Sequence, residues 1–92
     1  MIYRIQRGSI AAVIIVTCLD TTERFECVYQ APGMPFAITR AGHAAHLPAE
    51  TLPLTVRGKV GLMFGMVFSL PVNMRQPLIE NSLPFEMPGY FA

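Results

Sequence analysis

Charge is scarce in this chain, and lysine is scarcer still. Asp, Glu, Lys and Arg make up 14% of the 92 residues, where a soluble domain carries about 25%. Apolar residues stand at 52%. That balance excludes intrinsic disorder, which goes with high charge and low hydrophobicity. Glu and Lys are too few to flank the seam of a coiled coil. A formal net charge of +1 argues against a general electrostatic grip on nucleic acid, which takes a clustered basic surface. Tryptophan is absent, and two cysteines cannot staple a disulfide-rich scaffold. The longest apolar runs, residues 10–19 and 60–72, fall short of the about 18 residues that a membrane-spanning helix needs. The second run also contains Ser69 and Pro71.

What remains is room for one domain, cut up by eight prolines and seven glycines. Six of the seven cations are arginine, Lys59 being the one lysine, and there are six methionines and nine aromatics. Arg, Met and aromatics are enriched in interfaces, whereas lysine belongs to free surfaces. So little charge leaves much of the exterior for something else to cover, and an assembly is expected.

Residues 1–18 have some features of an export signal: Arg4 and Arg7, an apolar run over residues 10–16, and Cys18 at a rough lipoprotein-type cleavage point. Thr17 before the cysteine is a poor fit, and the β-branched run suits a strand equally well. The expected location is cytoplasmic, with export as the alternative.

Residues 2–7 read as a short strand ended by Gly8 and Ser9. Residues 11–19 are apolar at both parities, the pattern of a central strand covered on both sides. Residues 20–23 form a polar turn, and residues 24–30 alternate, with Phe25, Cys27 and Tyr29 on one face. An even-length turn puts Ala12, Ile14, Val16 and Cys18 on that same face. In one register Cys18 opposes Cys27, which would allow a bridge; in the other it opposes Phe25. Pro32 and Gly33 mark a turn, residues 36–40 a strand, and residues 42–50 a loop with at most one helical turn. Residues 51–57 read as an edge strand because of Pro53, and Gly58-Lys59 as a two-residue hairpin turn. Beyond that turn, Leu62, Phe64, Met66, Phe68 and Leu70 alternate with Gly61, Met63, Gly65, Val67 and Ser69. Gly61 and Gly65 on one face suggest close approach by another backbone or a partner. Pro77 would open one helical turn, and residues 83–91 would be extended and strongly apolar.

Chemistry is hard to find. His43, His46 and Glu50 would line one face of a helix and suit zinc, but Pro48 breaks such a helix. Cys18 and Cys27 lie in apolar strands, where thiols stay protonated and inert. Ser9, Ser69 and Ser82 have no flanking nucleophile signature. Asp20 and Glu23 share a turn, where carboxylates sit for solvation. Gly58-Lys59 lacks the rest of a phosphate loop. No metal or cofactor is expected.

These readings converge on a mainly β chain: a small antiparallel sheet, barrel or sandwich over residues 1–76. An extended, Pro-rich apolar arm over residues 77–92 completes it, with at most one or two short helical turns. Size, β pattern and the lack of a catalytic motif resemble, in kind, small virus-encoded proteins that decorate particles or inhibit host defence complexes. The expected function is that of a non-enzymatic protein-binding module within a larger protein or nucleoprotein complex, or in self-association. Arg57 and Lys59, flanking a hairpin tip, and Arg75 would present cations able to touch a phosphate backbone. Phe85, Met87, Tyr90 and Phe91 would supply apolar anchors, since aromatic and Arg anchors carry most interface energy. The alternatives are an exported or lipid-anchored β domain, and a nucleic-acid contact through the arginines.

Overall fold

The computed structural model describes residues 1–81 and 86–91, with Asn81 and residues 86–91 as backbone. Five strands build an antiparallel sheet: β1 (Ile2–Arg7), β2 (Val13–Cys18), β3 (Arg24–Val28), β4 (Ala37–Arg40) and β5 (His46–Leu47). A 3₁₀ turn (Ala49–Thr51) leads into helix α1 (Leu54–Phe68) and helix α2 (Val72–Asn81). The chain then returns as β6 (Glu86–Phe91), paired antiparallel to β1, giving the order β5-β4-β3-β2-β1-β6.

The β1–β4 meander follows the sequence pattern. Ile14 faces Cys27 and Val16 faces Phe25 across β2 and β3, and Ile5 faces Val16 across β1 and β2. The expected shared face of Ile14, Val16, Cys18, Phe25 and Cys27 is therefore buried, joined by Tyr3, Ile5 and Ile38. Among the described residues only this face is buried; Val13, Ile15 and Thr17 on the other face of β2 are half-buried. The expectation that β2 is covered on both sides is corrected accordingly.

Two turns carry special geometry. Gly8 donates its N–H to the Val13 carbonyl at 2.9 Å, and a Cβ there would lie 2.9 Å from that same oxygen. Only glycine lets the two backbones approach so closely. In the β2–β3 turn Thr22 sits at φ 63°, and Asp20 accepts the Ile2 N–H at 2.8 Å.

That turn also fixes the cysteines. The Cys18 N–H donates to the Glu23 carbonyl at 2.8 Å, so Cys18 opposes neither Cys27 nor Phe25, and both expected registers are corrected. The two thiols are free and buried.

The second half departs further from the sequence reading. The edge strand over residues 51–57, the hairpin at Gly58-Lys59 and the strand beyond are all replaced by α1. Its buried residues Val56, Val60, Met63, Phe64 and Val67 recur at i, i+4, i+7, i+8 and i+11, the spacing of one helix face. Pro53 precedes the first turn, a place where its missing N–H costs nothing. Of these, Val56, Val60, Met63 and Phe64 close over the sheet with Leu52 to form the core. Pro77 does not open a helical turn but lies inside α2, where it removes the bond to the Asn73 carbonyl. The fold is thus an antiparallel sheet with one face packed by a helix, and mainly β only loosely. No described helix is long and apolar enough to cross a membrane.

Candidate functional site

The candidate site grows from the packing of α1 against the end of β3 and the loop after it. Tyr29 follows β3 and donates its N–H to the Ala12 carbonyl at 2.8 Å, which holds its ring toward α1. There it stacks on Phe68 with ring centroids 3.9 Å apart and planes 12° from parallel. Phe64 meets Tyr29 at 5.7 Å and Phe36 at 5.7 Å, both tilted, an arrangement that aromatic quadrupoles favour. Arg75 of α2 completes the cluster. Its guanidinium carbon lies 4.9 Å over the Phe68 ring. Its Nε donates to the Leu70 carbonyl at 3.0 Å and its Nη2 to the Phe68 carbonyl at 3.3 Å.

Between this aromatic wall and α1 runs a cleft of about 250 Å³, lined by Tyr29, Met34, Phe36, Phe64, Gly61 and Gly65 among others. The glycines keep it open. A Cβ at Gly58, Gly61 or Gly65 would meet nothing within 4 Å, so no contact inside the chain requires glycine there. Each exposed helical glycine nevertheless costs about 1 kcal/mol relative to alanine. Beside this bare stripe stand Leu62 and Met66, 67% and 56% exposed. The outward-facing positions Leu54, Thr55, Gly58, Gly61, Leu62, Gly65, Met66 and Ser69 carry no charge. A concave apolar cleft next to an uncharged apolar ridge receives apolar side chains or rings, which fits the general anatomy of binding sites.

Of the residues expected to form an interface, Arg75 belongs to this cluster, while Arg57 and Lys59 fall elsewhere. Arg57 is in the first turns of α1, with its Nε donating to the Leu52 carbonyl at 3.0 Å, and Lys59 is half-buried on the same helix. Arg75 is the staple just described. Arg57 and Lys59 do not flank a hairpin tip, because residues 54–68 form α1; the phosphate-reaching role read from that tip is corrected. Met87 pairs with Ile5, Tyr90 with Tyr3 and Phe91 with Ile2 in the β1–β6 ladder, so the arm is extended there as part of the sheet edge. Phe85 lies outside the described residues. Arg4 and Arg24 share the outer sheet face, in register on either side of Thr17.

Titratable groups are spread out. His43 lies in the β4–β5 connection, His46 on β5 and Glu50 in the 3₁₀ turn, so no single helix face carries them. No group of three His, Cys, Asp or Glu residues among those described could hold a metal ion. Burial pushes the Cys27 thiol up to about 12. Hydrogen bonding with the Thr21 hydroxyl draws the Cys18 thiol below its ordinary value, which corrects the expectation that its apolar strand raises it, and the Met1 sulfur sits 3.8 Å from Cys18 Sγ and 3.6 Å from the Tyr3 hydroxyl.

The glycine stripe was visible in the sequence as a hint of close approach; the aromatic wall was not, because Tyr29 and Phe36 come from the two ends of the β3–β4 connection and Phe64 from α1. No protein-family model matches the chain, and no curated protein and no solved structure matches it.

Proposed function

We propose that this chain is a non-enzymatic protein-binding module that docks on, or is embedded in, a larger assembly. Virus-encoded particle decorators and inhibitors of host defence complexes are of this kind. The observation that carries the reading is the aromatic-walled cleft floored by Gly61 and Gly65, beside an α1 face that bears exposed Leu62 and Met66, with Lys59 at its edge. Interface cores are depleted in charge and built around apolar anchors in pockets. A lipid-anchored form cleaved before Cys18 would lose β1 and nearly all of β2, and with them Tyr3, Ile5, Ile14 and Val16 of the core.

The test is affinity capture from the native source with the wild-type chain and with Gly65→Leu, which fills the cleft at a position open to solvent. A protein retained by the wild type and lost with the variant is the expected result. Identical captures by both, with the helical circular dichroism signal intact, would overturn the reading.

A further inference from the structure

We infer that the outer face of the sheet, opposite the face that α1 packs, pairs with the same face of a second copy of this chain. Arg24 of each copy meets Glu26 of the other across a two-fold axis.

The strand register sets the residues of that face on a grid. Arg4, Thr17 and Arg24 form one row across β1, β2 and β3. Gln6, Ile15, Glu26 and Thr39 form the next row, across β1 to β4. Val13 and Val28 lie beyond the second row. Leu19, whose N–H donates to the Ile2 carbonyl at 2.8 Å, lies beyond the first. The charged groups on the face are Arg4, Arg24 and Glu26. At its two edges His46 is in register with Thr39, and Glu86 with Gln6. Arg24 and Glu26 stand two residues apart on β3, so opposite charges point the same way. Neither has an ion-pair partner among the described residues, although Glu26 is half-buried.

This pattern selects one symmetric arrangement. Sheets that pack face to face keep their strands nearly aligned and about 10 Å apart, a gap that Arg and Glu side chains span from opposite sides. An axis lying between the sheets, across the strands at the level of Phe25, turns the first row onto the second. Arg24 then faces Glu26 of the mate, and the contact occurs twice because the interface is isologous. Arg4 faces Gln6, whose register neighbour is Glu86; Thr17 faces Ile15, and Leu19 faces Val13. No like charges oppose one another. An axis through either row would instead set Arg24 on Arg24 or Glu26 on Glu26, and such juxtapositions are costly. A purely acidic partner would meet Glu26 unfavourably, and a purely basic one the two arginines. A face of mixed sign is complementary to itself. With a formal net charge of +1, two copies also approach with little long-range repulsion.

Area sets the strength. Four strands about 4.8 Å apart, each about six residues long at about 3.3 Å per residue, offer about 400 Å² of flat sheet in each copy. Transient pairs bury less than about 1,200 Å² in total, and about 800 Å² belongs to that class. The dimer is weak and concentration-dependent.

Sedimentation equilibrium on the full chain from about 10 µM to about 1 mM, a range that spans weak association, tests this. The wild type should pass from monomer to dimer. Arg24→Glu and Glu26→Arg should each weaken the dimer about tenfold or more, because each sets like charges face to face. The double variant carrying both reversals rebuilds the pair with its signs exchanged, and should return to within about threefold of the wild type. Leu19→Asp, at a position 42% exposed, should weaken the dimer without touching either charge. Leu62→Asp, on the outward side of α1, should leave it unchanged.

A wild type that remains monomeric at 1 mM overturns the inference. So do single reversals without effect, or a double variant that associates no better than the singles while its circular dichroism matches the wild type. A dimer abolished by Leu62→Asp overturns it as well, because association would then use α1. The docking role proposed above rests on the cleft on the other side of the molecule and is read by Gly65→Leu, so either reading can fail without the other.

Discussion

Replacing Arg75 by alanine removes three interactions that tie α2 to the end of α1. The guanidinium donates to the carbonyls of Phe68 and Leu70, at 3.3 and 3.0 Å, and lies 4.9 Å over the Phe68 ring. Those carbonyls belong to the helix end, where the last oxygens have no intrahelical donor. A charged donor to such a group contributes about 1.5–3 kcal/mol when fully buried. Arg75 is half-buried and water can reach the carbonyls once it is gone, so about 1 kcal/mol for each bond is the better figure. The cation–π contact adds about 0.5 kcal/mol at this exposure. Arg75→Ala should therefore lose about 2–3 kcal/mol in urea unfolding followed by circular dichroism, with an unchanged slope. Arg75→Lys should recover less than half, because a single ammonium cannot span two carbonyls and a ring together. A loss below about 0.5 kcal/mol, the range of ordinary surface substitutions, would refute the staple and return Arg75 to the free surface that the sequence suggested.

Two further outcomes follow from the geometry. Gly8→Ala should destabilise the chain by about 1–3 kcal/mol, since its Cβ would press on the Val13 carbonyl oxygen at 2.9 Å; an unchanged urea midpoint would show that the β1–β2 turn relaxes freely. Cys27 makes stability fall with rising pH: its folded pKa of about 12 exceeds the ordinary thiol value near 9, so above pH 9 the unfolded chain releases a proton that the folded one retains. The loss should reach about 1.4 kcal/mol at pH 10 and spread across the window from 9 to 12. Because the Tyr3 hydroxyl is also raised by burial, the check is the difference between wild type and Cys27→Ala. Parallel stability curves for the two would contradict the assignment.

The N-terminal half was legible because its strands obey period two with few exceptions. Phe25, Cys27 and Ile14, Val16, Cys18 fall on one face in the structure as in the sequence. Register at the hairpin end was not legible: the choice between Phe25 and Cys27 opposite Cys18 overlooked Glu23, which takes that place because the turn is tight and Thr22 adopts a positive φ. β-branched threonine is a poor guide to such a conformation. Arg57 and Arg75 read as outward cations because side-chain hydrogen bonds to carbonyls five or more residues back depend on a helix the sequence had not yielded.

That helix was hidden by the same residues that make its outer side a candidate site. An ordinary surface helix announces itself by polar residues on the side away from the core. In α1 that side holds Gly58, Gly61 and Gly65 with Leu62 and Met66, so apolar residues occur all round and no helical contrast survives. Large residues spaced by small ones then imitate a strand. Val56, Val60, Met63, Phe64 and Val67, read alone, do show the helical interval, and Pro53 and Pro71 bracket it. A helix that gives up propensity at three solvent-facing positions, where no contact in its own chain requires glycine, carries a local cost of about 1 kcal/mol at each. Local conflicts of this kind concentrate at functional sites, so the failure of the periodicity reading over residues 58–66 and the location of the cleft have one physical origin.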